Sequence, residues 1–587
     1  MTWSRIERHG HALGGWTLER RDDEIADLRR DDRRVLRSIR AVVRDADWNT
    51  IPLAVNDVTV SERSLVIGLR TPGCSFFRGS LRVDLEGDDL VIALDLEALT
   101  DISTNRTGLI LLHPPQVAGH ELLVTHSDGT AEATCFPAHV SAHQPVFDIS
   151  ALEWSDADAR IALGFEGDVF EMEDQRNWTD ASFKTYSRPL SLPFPYRVAA
   201  GEHVVQRLRV RAAIADAEAV ADTDPAEIVL AAVGPVPGFG VSASTAPDPA
   251  PPTEPLGSTL IVEADLAGVD WRAGLDRAAA SGLPLDVRFV LDSDAPQRID
   301  DAVAALDGVE IVRATAFHQV SDARHVSDEE SIDLLRRALA RHGRTPQVIG
   351  GSRSHFTELN RELHRLPRDL DGLTVTITPL FHSTDTEQLV ESVTIQRLIA
   401  QETVERAAGL PVHIGPIALR PRFNDVAASP QPLSPHADLR DGYGPEFTSI
   451  DDERQAAPEL AAWTVASAAA LAVAGVSTIA WFEEWGPRGI RSSDGADLPV
   501  AEALRALALL DPPGGEDAEL LSGDSPDGLV WALGARTADG IRVLVANIAD
   551  AARTVTVETP SGRHTVDLAP HSFLALPFTA EPKDSPA

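Results

Sequence analysis

At 587 residues the chain is too long for one compact core, so about three domains are expected, and 43% hydrophobic with 24% charged residues is a soluble globular composition. A net charge of −38 repels phosphate backbones and anionic lipid surfaces, which sets nucleic acid and membrane partners aside. No apolar run approaches the ~20 residues of a membrane helix, and the opening MTWSRIERHG has no apolar signal region; a cytoplasmic location is the default expectation.

Residues 1–225 are expected to form a β-sandwich. From about residue 35 onward, segments such as NDVTV, SLVIGLR and SLRVDLEGDDLVIALDLEAL alternate apolar and polar residues between Gly, Asp and Asn breaks. Cys74 and Cys135 form neither a CxxC nor a finger spacing, so they are expected to be two buried free thiols. The stretch FEMEDQRNWTDASFKTY, Phe170 to Tyr186, crowds acids, cations and amides between two apolar segments. Only two of the 52 Lys and Arg residues are Lys, and Lys184 is the internal one. Two readings are open. In one, Arg176 and Lys184 neutralise acids at a bend. In the other, the bend reaches a neighbouring pocket and Asp174, Arg176 and Lys184 bind substrate, a compact ammonium suiting a carbonyl or hydroxyl better than a guanidinium does.

Residues 226–512 change grammar. Eight apolar, β-rich runs (236–242, 258–266, 283–291, 309–317, 345–351, 373–381, 410–419 and 476–484) alternate with helical patterns such as SDEESIDLLRRALARHG and APELAAWTVASAAALAVAG. That alternation predicts a central (β/α)8 TIM barrel. An open doubly wound sheet is the runner-up, but the Gly-rich phosphate turn expected after its first strand is missing. ASTAPDPAPPTEPLG, where the first barrel helix belongs, is too rich in Pro to be one. Residues 513–587 return to alternation and predict a small C-terminal β-sandwich ending in a disordered tail, TAEPKDSPA.

A barrel gathers its chemistry at the C-terminal ends of its strands. Reading those ends gives Asp265, His318, Arg353, His355, Glu358, Asn360, His382, Asp385, Arg420, Arg422, Asn424, Glu483, Glu484 and Trp485. Asp265 and Asp385 read equally well as helix caps, and His318 reads as a satisfied loop histidine. Glu358, His382, Glu483 and Glu484 are the candidate catalytic groups, able to activate water. Asn360, Arg420 and Arg422 are candidates for a carbonyl oxyanion or a carboxylate. Asp385 is a candidate for binding substrate, and Trp485 for stacking on a sugar ring. The two Glu residues that a retaining glycosidase carries after strands four and seven are missing; so are the serine elbow, the His-Glu-x-x-His helix and the Walker loop. His355, Glu358, His382 and Asp385 are capable of holding a divalent metal, but their spacing is not diagnostic, and no cofactor is expected.

The segments VLRSIRAVVRDADWNTIP (35–52), NRTGLILLHP (105–114), FEGDVFEMEDQRNWTDASFKTYSRPLSLPFP (165–195) and FTELNRE (356–362), followed by FEEWGPRG, resemble the D-apionate lactonase family of bacterial sugar catabolism. The resemblance implies a β-domain, a TIM barrel and a second β-domain, and hydrolysis of the branched lactone D-apionolactone to its open acid. No residue role is carried over with it. The alternative is a glycoside hydrolase acting on oligosaccharides that contain a rare pentose. The sequence leaves the oligomeric state open.

Overall fold

The computed structural model describes residue 3 and residues 6–73, 76–156, 159–214, 226–292, 295–318, 325–426, 432–448, 451–510 and 518–578. Cys74 and the tail TAEPKDSPA lie outside them, and Cys135 is exposed rather than buried.

The barrel strands are Gly238–Ser242, Leu260–Asp265, Leu285–Leu291, Ile311–His318, a fifth in two pieces (Gln347–Val348 and Gly350–Gly351), Leu373–Ile377, Val412–Ile417 and Val476–Glu483. All pair in parallel, and the first closes on the eighth through Gly238↔Thr478. Strands such as LDVRFVL are buried at every position, as a sheet covered on both faces requires. The fifth strand breaks because its first piece pairs with the fourth strand and its second with the sixth. At Gly351 φ is +148° and a Cβ would lie 1.9 Å from the Thr374 carbonyl oxygen, so only glycine fits there. Residues 243–259 contain no helix, as their prolines require.

The N-terminal domain begins earlier than the alternation suggested, with a strand at Arg8–Leu13. One largely antiparallel sheet path runs Arg33–Arg44, Arg106–Leu112, Phe183–Ser187, Phe170–Asp174 and Val146–Asp156 through its middle. The sheet wraps a single core in which Ile39, Leu81, Ile92, Leu109, Leu163 and Phe183 meet. Part of its joint with the barrel is ionic: Arg37 Nε donates to Glu391 Oε2 at 2.5 Å, and Arg34 reaches Glu387 and Glu391, both on the long barrel helix Thr386–Ala407.

The C-terminal strands form two sheets sharing a core of Ile228, Leu230, Leu521, Val530, Val543, Val545, Val555 and Val557. Two of their strands, Ala226–Val229 and Ala231–Pro235, come from the segment expected to open the barrel domain. The first runs parallel to Arg553–Thr559 and the second antiparallel to Glu519–Ser522. The chain thus supplies part of the C-terminal unit before it enters the barrel. The barrel helix Glu459–Leu471, buried along its length after Glu459, packs on the strands Val530–Thr537 and Gly540–Asn547. Among the described residues no helix is long and apolar enough to cross a membrane.

Candidate active site

Strand register builds half of the site. Glu173 lies opposite Lys184 and Glu171 opposite Tyr186; across the next strand Leu112 faces Lys184 and Ile110 faces Tyr186, and across the one after that Arg106 faces Arg44. Because side chains alternate, Arg44, Arg106, Tyr186, Lys184, Glu171 and Glu173 share one face, while Leu109, Leu111, Phe183 and Met172 point into the core. Lys184 Nζ lies 2.5 Å from Glu173. Burial alone would raise the Glu173 carboxyl, but Lys184 and His382 hold it down at about 2. Tyr186 donates its hydroxyl to Glu171.

The barrel supplies the other half. After the sixth strand, His382 Nδ1 pairs with Asp180 Oδ2 at 2.6 Å, joining the barrel to the bend that follows the N-terminal 3-10 turn Gln175–Trp178. Burial pushes the Asp180 carboxyl up and the His382 imidazole down, and Lys184 lowers the imidazole further. The 2.6 Å contact holds one proton between Oδ2 and Nδ1; with that proton on Nδ1, Nε2 is a lone pair. Among the described residues nothing bonds Nε2, and 18% of the side chain stays exposed. Trp178 stacks parallel on Phe381 at 6.3 Å and meets His382 edge-on at 5.2 Å, so the imidazole is walled by rings from both domains.

Next to Phe381, 4.5 Å away, lies His355, which precedes the short helix Phe356–Glu362. Glu358 Oε2 accepts from Ser354 Oγ at 2.5 Å and from the His355 amide at 3.1 Å. Burial, with Asp425 adding repulsion, pushes Glu358 up to about 8; burial lifts Asp425 to about 6. The two carboxyls therefore retain a proton near neutrality. Burial holds His355 neutral, at about 3.

Several expected site residues hold the structure together instead. Asp174 and Arg176 bind each other, and Arg176 also donates to the carbonyls of Pro137, Ala138 and His139, clamping that loop. Asn360 bridges to Val140 and Asn177 across the domain joint and accepts from Arg406. Arg422 shares Glu263 with Arg353, so its fork is already occupied by a protein carboxylate. Arg420 lies half-buried beside Asp452 and Arg454. Asp385 precedes the long helix and accepts from Ser383. Asp265 accepts the Ala267 amide in a turn, and His318 lies 3.6 Å from Asp328.

Glu483, Glu484 and Trp485 form a separate group beside the loop after the first strand. Glu483 is buried and accepts from the Thr245 amide and hydroxyl and from Arg488. Trp485 is not the exposed ring that stacking on a sugar requires: it is 3% exposed, with Arg277 over its face. Burial lifts the Glu484 carboxyl to about 7. No described contact links this group to His382 or Glu358. His355, Glu358, His382 and Asp385 do not converge either, and among the described residues no three His, Cys, Asp or Glu side chains are placed to hold a metal ion. The sequence reading passed over Asp180, Glu173, Asp425 and Arg106. The first two lay inside the crowded stretch, and only the strand register shows that Glu173 and Lys184 face one way.

A parallel barrel packed against an N-terminal sheet domain, with a part-buried His–Asp pair spanning the joint, offers a candidate enzyme site between the two. The chain belongs to the D-apionate lactonase family: the family models described as D-apionate lactonase N-terminal domain and D-apionate lactonase TIM barrel domain match residues 3–215 and 248–511. It is 27% identical over 449 residues to a D-apionate lactonase of Brucella anthropi, covering 70% of this chain and 72% of that one. Among solved structures it is similar to a GH30 endoxylanase from Clostridium papyrosolvens C71, at a TM-score of 0.41 and 12% identity, over 61% of this chain and all of that one. Another is SrfJ from Salmonella typhimurium, at 0.37 and 10%, over 63% and 96%. Neither of these two structural likenesses bears on the chemistry.

Proposed function

We propose that this protein hydrolyses D-apionolactone, or a closely similar branched aldonolactone, to the open acid, at the junction of barrel and N-terminal domain. The observation that carries the residue roles is the part-buried contact between His382 Nδ1 and Asp180 Oδ2 beside Lys184. His382 Nε2 takes a proton from water, and the water oxygen bonds to the lactone carbonyl carbon. The carbonyl π electrons move onto oxygen, where the Lys184 ammonium stabilises the oxyanion. As the tetrahedral intermediate collapses, the ring C–O bond breaks and the leaving alkoxide takes the proton back from His382. The new carboxylic acid then loses its proton to solvent. Asp180 keeps the imidazole in the tautomer that presents Nε2.

Family membership supports the lactone. The fourth and seventh barrel strands end without the Glu pair of a retaining glycosidase, which supports ester over glycosidic cleavage. We read the C-terminal sheets as a β-sandwich, separate from the site, and the two sheet domains as flanking the barrel. Titrating released acid from a panel of aldonolactones tests the reading, with turnover of D-apionolactone expected. Absence of turnover on every lactone, together with reducing sugar released from apiose- or arabinose-containing glycans, would overturn it.

A further inference from the structure

The polar face of the N-terminal sheet carries more positive charge than it neutralises. Lys184 has Glu173, but Arg44 and Arg106 have no carboxylate partner among the described residues: Arg44 donates to the Trp48 carbonyl and the Thr50 hydroxyl. Arg106 is only 6% exposed. Its guanidinium carbon lies 3.7 Å from the centre of the Tyr186 ring and 5.2 Å from that of Trp48. On one edge Nε and Nη2 find no acceptor among the described residues. Glu173 and Asp168 lie close enough for Arg106 to act on them electrostatically, but neither accepts at that edge, and a buried donor edge without an acceptor is costly. Lys184 Nζ lies 5.1 Å from the centre of the same Tyr186 ring, so the two cations are neighbours, and Arg106 acts electrostatically on His382 as well.

We propose that Arg106 is the carboxylate anchor of the site, its paired Nε–H and Nη2–H donors binding side-on the two carboxylate oxygens of the released aldonate. The proposal rests on the lactone reading, since those oxygens are the former carbonyl oxygen and the one delivered by water. Two parallel donors match the spacing of a carboxylate, a fit that Lys184 and its single ammonium lack. The anion forms only during the reaction, so Arg106 favours the transition state and product over the neutral lactone. It does the job that Arg422, already engaged by Glu263, does not do.

Calorimetric titration of the full chain with D-apionate, and with the polyol in which CH2OH replaces the carboxylate, tests this without any substitution. The acid is expected to bind about tenfold or more tightly, the span of charge-assisted hydrogen bonds. Equal affinity for acid and polyol overturns the anchor. Arg106→Lys keeps the charge and loses the fork. It is expected to weaken D-apionate binding about tenfold to a hundredfold while leaving polyol binding unchanged. A folded Arg106→Lys protein that binds D-apionate as the parent does also overturns it. The parent's turnover of D-apionolactone is read separately. Turnover without preference for the acid removes the anchor alone, whereas preference for the acid without turnover of any lactone removes the proposed activity and leaves the anchor.

Discussion

His382 sits on a barrel loop and is oriented by Asp180, a residue of the other domain. Replacing His382 with Ala is expected to lower kcat by about a hundredfold to ten-thousandfold, the range of general base catalysis, with the melting temperature little changed. Because burial and Lys184 depress the imidazole pKa, the base stays unprotonated well into mild acid, and activity is lost only as pH falls through that lowered value. Lys184→Met removes a charge that lowers this pKa and leaves Glu173, which raises it, unpaired. The acid limb of kcat/KM is therefore expected to move to higher pH; an unmoved limb would show that Lys184 does not sense His382. Glu358 titrates in the opposite sense. Its folded pKa, about 8, lies above the ordinary value, so the fold favours the protonated form, and stability falls as pH rises from about 4.5 to 8. Glu358→Gln is expected to flatten this fall in Tm between pH 5 and 8, measured by calorimetry. A variant that loses more stability than the parent over that interval would contradict it. His382, Lys184 and Glu358 were legible as candidates because barrel strand ends and a rare ammonium stand out in a sequence. Asp180 was not, because nothing in TDASF distinguishes an acid that caps a turn from one that crosses 202 positions to reach a histidine.

Among the elements, the eight barrel strands were legible because each is a short apolar run buried on both faces, and the missing first helix was legible from its prolines. The two strands between Ala226 and Pro235 were not. Their apolar character suits any sheet, and their partners lie some three hundred residues onward. Trp485 shows a similar limit: a Trp beside two acids reads as a ring-stacking platform or as a core residue, and only packing shows Arg277 covering it. The broken fifth strand depends on Gly351, so Gly351→Ala is expected to cost several kcal/mol, about the upper range for backbone clashes, measured by denaturant unfolding; a change within experimental error would contradict the close approach to Thr374. At the domain joint Arg37 is 4% exposed, and Glu391 holds it to the long helix. Glu391→Gln is expected to cost about 3 kcal/mol, as for a half-broken buried ion pair.

At the scale of the whole molecule, the proposed site makes the N-terminal sheet domain a working part and not an appendage. It contributes the partner of the base, the ammonium, and the ring wall formed by Trp178, while the barrel contributes His382, His355 and the Glu358–Asp425 pair. Composition and periodicity outlined three units, yet they could not show that two of them close on one another, since that depends on contacts between residues far apart in the chain. The central claim is that a pair crossing this joint acts as one catalytic unit. A double-mutant cycle on D-apionolactone hydrolysis tests it most directly, comparing kcat/KM for Asp180→Asn, His382→Ala and the double variant. The expected result is strong non-additivity, with the double variant no slower than His382→Ala alone. Losses that multiply independently, or an Asp180→Asn enzyme as fast as the parent, would contradict the account.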